Sequence, residues 1–298
     1  MLIGAHALVF SGKFDHEGLK TAIEGTRKAG FDLIEIPLMD LENFDVGLAR
    51  RLVDDNGLEV SASLGLTEST DLSSENSAVV AAGETLLSRC IDTVEALGGT
   101  RLCGVIYSAM QKYVQPATAG GRANSQAALS RLSRYAADRG VELSLEVVNR
   151  YESNVINTAR SGLQFLDGVE KLTGLDGGAD GRVSLHLDTY HMNIEEPDMF
   201  SPVLAAGSRL GYVHIGESHR GYLGSGSVDF GSFFRALAQI GYDGPVVFES
   251  FSTAVVSAEL SNTLGVWRNL WHDSDDLAAH ANRFIRDTVH AAETIALH

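Results

Sequence analysis

The chain alternates eight short apolar runs with helical patterns, and this alternation restricts the fold more than any other feature. The runs are 2–10, 33–38, 58–66, 101–108, 141–148, 183–191, 210–217 and 245–252. Helix-like patterns fill much of the space between them, at 16–30, 77–97, 122–139, 158–173 and 231–240. "RKAG" (27–30) and "ADRG" (137–140) each place Gly just after a basic last turn, a helix-stop signal. Near-continuous apolar strands separated by helices imply a parallel sheet covered on both faces. Eight such units in 298 residues predict an α/β fold of the (β/α)8 TIM-barrel type. We expect one domain over 1–298, with 253–298 as a helical extension. A doubly wound open sheet usually shows a Gly-rich fingerprint after its first strand, and "HALVFSGKF" is not one. Trp267 and Trp271, four apart, are expected to share a helical face that packs the extension onto the barrel or a second subunit.

Charge narrows the partners. Lys and Arg number 23 against 39 Asp and Glu, a formal net charge of -16. This disfavours nucleic acid, whose backbone is gripped by Lys and Arg, and anionic membranes. It suits a neutral small molecule or a cation. No apolar run approaches the roughly 20 residues of a membrane span. The start, "MLIGAHALVF", lacks a basic region and a cleavage site. Cys90 and Cys103 lie in apolar or helical patterns, so both are expected as reduced, buried thiols of a cytoplasmic protein.

In a TIM barrel the chemistry sits at the carboxyl ends of the strands. There, four consecutive runs carry Glu146, Asp188, His214 and Glu249. A buried carboxylate costs several kcal/mol, as an order of magnitude, unless paired or bound to a metal. Neighbouring strands lie about 5 Å apart, so the four groups can converge on one centre. Three carboxylates and one imidazole would repel each other there, and a divalent cation relieves that. Oxygen-rich ligation with one nitrogen suits Mn²⁺ or Mg²⁺, with Co²⁺ also allowed, better than structural Zn²⁺. Glu146 and Glu249 come from different sides of the mouth. One carboxylate on each face of a carbon is what an epimerase needs, and a metal chelating a carbonyl and its neighbouring hydroxyl would acidify the C–H between them.

"LEVVNRYESN", "HLDTYHMNIEE", "YVHIGESHRG", "VVFESF" and "CGVIYSA" closely resemble segments of the ketose 3-epimerases, a family that includes the D-tagatose, D-allulose (psicose) and L-ribulose 3-epimerases. The resemblance spans almost the whole chain and is nearest to the D-allulose and L-ribulose branch. It implies one divalent cation held by Glu146, Asp188, His214 and Glu249, with Glu146 and Glu249 as the acid/base pair acting through a cis-enediolate. It adds Glu152, His191 and Arg220 as residues gripping the O1–O3 end of a free ketose. It also implies a homodimer or homotetramer. His6 and Met110 stand where relatives carry aromatic rings, so the preferred ketose stays open. Phe10, Phe44, Gly65 and Tyr113 are expected around C4–C6 of the sugar.

Three further features stay outside this reading. The Gly-rich loop 221–230, with Gly224 and Gly226, is read as a turn, with phosphate binding as the rival. That rival would make the substrate a sugar phosphate. Glu35, inside an apolar run, either binds a sugar hydroxyl or pairs with a cation in the barrel. Tyr190 and Glu217 flank ligand candidates and are expected to support them. An aldose–ketose isomerase or a dehydratase on the same barrel is the alternative chemistry.

Overall fold

The strands β1 (Leu2–His6), β2 (Leu33–Pro37), β3 (Glu59–Ser63), β4 (Arg101–Gly104), β5 (Glu142–Val147), β6 (Val183–Asp188), β7 (Leu210–Ile215) and β8 (Pro245–Phe248) pair in chain order, and β8 closes on β1. All eight pairings are parallel. This computed structural model describes residues 1–174 and 183–296. The helices are α1 (His16–Lys28), α2 (Val46–Asn56), α3 (Ser77–Leu97), α4 (Ala119–Ala137), α5 (Ala159–Thr173), α6 (Thr189–Glu195), α7 (Ser201–Ala206), α8 (Phe230–Gln239), α9 (Ala258–Thr263) and α10 (Ser274–Ala296). None is long and apolar enough to cross a membrane.

Register sorts the side chains. Glu35 lies level with His6 and Ser61, Cys103 with Ser144, Glu146 with His186, and Asp188 with His214. These inward positions make a polar lumen. The alternate residues, such as Leu143, Leu145 and Val147 on β5, join the main apolar core against the helices. Glu146 therefore interrupts no apolar face; it occupies the inward period of its strand.

β3 and β4 are in register over two residue pairs, the shortest pairing in the ring. Gly104 sits at that seam with φ 112°, and a Cβ there would stand 2.4 Å from the Leu64 carbonyl oxygen. Only glycine allows this approach.

Several strands end earlier than their apolar runs. β1 stops at His6, β4 at Gly104, β6 at Asp188 and β8 at Phe248. Asp188 ends β6 by capping α6, its Oδ1 accepting from the Tyr190 N–H at 2.7 Å. His191 thus lies on a helix. The tail also differs from expectation: 264–273 is not helical. Trp267 is 72% exposed and Trp271 3% exposed, so the two indoles share no face. The last two residues of the 253–298 extension lie outside the described residues.

Candidate metal centre and sugar site

Glu146 and Asp188 reach the lumen from β5 and β6, His214 from β7, and Glu249 from the residue after β8. Each offers one ligand atom, and the four atoms all lie within 4.8 Å of one another. His214 Nδ1 is buried without a hydrogen-bond partner, 3.7 Å from Glu146 Oε1 and 3.6 Å from Glu249 Oε2. An orphaned imidazole nitrogen facing three carboxylates is the arrangement a divalent cation fits.

The other side of His214 is fixed. Its Nε2 donates to Glu35 Oε2 at 2.8 Å, and the Tyr212 hydroxyl donates to the same oxygen at 2.8 Å. Ser61 holds the Tyr212 hydroxyl at 2.6 Å. Glu35 thus faces a cation-binding histidine candidate from below. Burial works against its charge, but His214 and His6 outweigh it and keep Glu35 well below the usual carboxylate range. His6 Nδ1 accepts from the Leu8 N–H at 3.2 Å, so its proton lies on Nε2, which pairs with Ser63 Oγ at 3.3 Å, while Glu35 Oε1, 3.4 Å from that nitrogen, is buried without a hydrogen-bond partner. Burial lowers His6 to about 4 and keeps it neutral.

The two proposed proton carriers differ. Burial alone would raise Glu146, yet His186, His191 and His214 around it hold it well below the usual range. Burial raises Glu249 to about 7, helped by Asp188 and Glu146 and opposed by Arg220 and His214. Two neighbouring carboxyls whose surroundings push them apart are suited to opposite acid and base roles.

Arg220 comes from the loop after β7. Its Nη1 lies 3.0 Å from Asp188 Oδ2 and 2.6 Å from Glu249 Oε2, and its guanidinium stacks 3.9 Å over the Tyr190 ring. Asn149 organises Glu152 and His191. Its Nδ2 donates to Glu152 Oε1 at 2.8 Å, and its backbone N–H points at His191 Nδ1 at 3.1 Å. That leaves the His191 proton on Nε2, 3.5 Å from Glu146 Oε1 and 3.7 Å from Asp188 Oδ2. Glu152, Asp188 and Glu146 favour a second proton on this ring against burial, and the Asn149 N–H opposes it. Asn149 escaped the sequence reading because an Asn in a loop carries no signal of its own.

A cavity of about 540 Å³ opens over these groups. His6, Glu35, Glu146, Glu152, His191, His214, Arg220 and Glu249 form its floor, and Gly65 and Met110 belong to its wall. Its mouth is largely apolar, with Leu8, Leu38, Leu66, Phe251, Leu260 and Leu264. Three expected lining residues lie elsewhere. The Tyr113 hydroxyl donates to Asp71 at 2.6 Å, Phe10 covers Gly25 in the layer between sheet and helices, and Phe44 packs against the core. His6 lines the cavity beside Glu35.

The Gly-rich loop holds an anion of its own. The Glu217 carboxylate, fully buried, accepts the N–H groups of Ser218, Gly224 and Val228 at 2.8, 3.0 and 3.3 Å. The donors a phosphate would need are occupied by this side chain, so the phosphate reading finds no support here.

Comparison with known proteins agrees with this geometry. Residues 23–288 match the family described as xylose isomerase-like TIM barrel. A ketose 3-epimerase of Arthrobacter globiformis is 58% identical over 100% of both chains. An L-ribulose 3-epimerase of a Methylomonas species is 56% identical over 95% of this chain and 96% of its own. A crystal structure of D-allulose 3-epimerase from Methylomonas in complex with D-allulose superposes with a TM-score of 0.92 at 55% identity, covering 97% of each chain.

Proposed function

Because the chain belongs to the ketose 3-epimerases, within the xylose isomerase-like TIM barrels, we propose that it inverts C3 of free ketoses by moving a proton between Glu146 and Glu249. The observation that carries this reading is the convergence of Glu146, Asp188, His214 and Glu249 beneath the cavity, with His214 Nδ1 unpartnered. These four residues would hold one divalent cation. Mn²⁺ or Mg²⁺ suits the donor set, and Co²⁺ fits as well. Such a cation would supply Lewis acidity, polarising the ketose carbonyl and acidifying the neighbouring C–H.

The chain's own groups do the rest. Glu146, kept ionised by its histidines, takes the C3 proton on one face. Glu249 stands on the other face and returns a proton to the cis-enediolate. For the reverse reaction the roles exchange. His191 donates through Nε2 to a substrate oxygen, Arg220 steadies developing negative charge, and Glu152 orients a hydroxyl. The apolar mouth offers few fixed partners to the far end of the sugar. This supports several pairs: D-fructose with D-allulose, D-tagatose with D-sorbose, and L-ribulose with L-xylulose.

Exposed Val114 and Tyr151, on the loops after β4 and β5, support a homodimer or homotetramer, which light scattering tests. Two buried free thiols, Cys90 and Cys103, support a reducing, cytoplasmic setting, which cell fractionation tests.

The decisive experiment strips the protein with a chelator, restores Mn²⁺ or Mg²⁺, and supplies D-fructose in D₂O. Cation-dependent D-allulose carrying deuterium at C3 is expected. Deuterium at C1, or activity indifferent to chelation, would overturn the reading.

A further inference from the structure

Among the described residues, Arg220 is the one non-glycine with a left-handed backbone, φ 62°. A side chain disfavours that conformation, and it persists where the surroundings over-determine it. Here they do. The Arg220 N–H donates to the Glu217 carbonyl at 2.8 Å, and the Arg220 carbonyl accepts from Ser250 Oγ at 2.5 Å. Ser250 is fully buried and directly follows Glu249. Its single hydroxyl proton goes to Arg220, so its oxygen is free to accept, and the Trp271 indole N–H donates to it at 2.8 Å. An indole N–H can only donate, so the direction is fixed: Trp271 to Ser250 to Arg220.

Trp271 lies in the non-helical stretch between α9 and α10. The same tail supplies Leu260 and Leu264 to the cavity wall. The residue after Arg220 is Gly221, which accepts either orientation of the 220–221 peptide. Without a donor on the Arg220 carbonyl, that peptide is free to turn and the guanidinium to leave Asp188 and Glu249.

We propose that Trp271 is a positioning residue: through Ser250 it holds the Arg220 backbone so that the guanidinium is presented to the sugar. This rests on the epimerase reading, in which Arg220 meets substrate.

The test uses the full-length, Mg²⁺-loaded protein with D-allulose. Ser250→Ala and Trp271→Phe should each lower kcat/KM about tenfold, the worth of one buried hydrogen bond, chiefly through KM. Ser250→Thr, which keeps the hydroxyl, should restore most of it. A second readout is independent of turnover. Trp267→Phe leaves Trp271 as the sole indole, and D-allulose should shift its emission; adding Ser250→Ala should abolish the shift. Unchanged KM and kcat in both variants, with only a lower melting temperature, would reduce Trp271 to packing and overturn the proposal. Ser250→Thr as impaired as Ser250→Ala would also overturn it. A wild-type protein inert on D-allulose would instead count against the epimerase reading itself.

Discussion

Replacing Glu35 with Gln tests whether the carboxylate below His214 sets the strength of the cation site. Gln keeps the shape and removes the charge. Oε2 of Glu35 accepts two hydrogen bonds, from His214 Nε2 and the Tyr212 hydroxyl, both at 2.8 Å. Bonds to a charged acceptor are roughly twice as strong as neutral ones, so losing the charge removes about 1 kcal/mol from each. The Tyr212 bond is made with or without the cation, so only the His214 share of about 1 kcal/mol bears on affinity, about a fivefold weakening, just below the 10–100-fold range typical of groups behind a metal-binding histidine. The assay is titration of chelator-treated protein with Mn²⁺, followed by electron paramagnetic resonance, with circular dichroism to verify folding. A folded Glu35→Gln protein that binds Mn²⁺ within about twofold of wild type, far short of that range, would refute the reasoning.

Two other outcomes are expected. Glu217→Ala deprives three backbone N–H groups of their acceptor; at about 1 kcal/mol each, this should lower the melting temperature by about 5 °C in calorimetry for a chain of this length, and an unchanged melting temperature would show that the loop does not depend on the carboxylate. The second outcome concerns pH. Burial raises Glu249 to about 7 in the cation-free protein, and a cation needs the carboxylate form, so below that pH a proton competes with it and affinity should fall by up to about tenfold per pH unit. Burial opposes a charge on His214, but Glu35 and Glu249 push it well up, so it also surrenders a proton to the cation. Calorimetry in buffers of different ionisation enthalpy should therefore find more protons released per cation near pH 6 than near pH 8, the excess being the Glu249 share; affinity that stays level below pH 7 would contradict the assignment.

The lumen was readable where a strand's own period announced it. Glu146 and Asp188 stand at inward positions of β5 and β6, and His214 at the matching position of β7, so their convergence follows from parallel register. Partnerships made across the ring were not readable. Glu35 finds His214 179 residues away, and nothing local to either says so. Strand ends were overrun for a similar reason. "HLDTYH" continues the apolar pattern of β6, but Asp188 turns its carboxylate onto the next helix and starts α6, which moves His191 from strand to helix. The Trp267 and Trp271 spacing suggested a shared face because helical period was assumed. The chain around them is irregular, and one indole seeks Ser250 while the other donates to Asn262 at 3.0 Å. Tyr113 was expected around the sugar, and its hydroxyl is engaged by Asp71, 42 residues earlier, a partnership that nothing local to Tyr113 announces.

A ring of eight strands presents no free edge on which another chain could template itself. That protection lasts only while every seam is shut. Parting β3 from β4, joined over two residue pairs beside Gly104, would create two unpaired edges at once, each an invitation to a neighbouring molecule doing the same. What holds the seam beyond those two pairs is loop backbone, the Leu64 N–H on the Cys103 carbonyl and the Leu66 N–H on the Val105 carbonyl, both at 3.1 Å, so the guard on this edge lies partly in the loops that line the cavity.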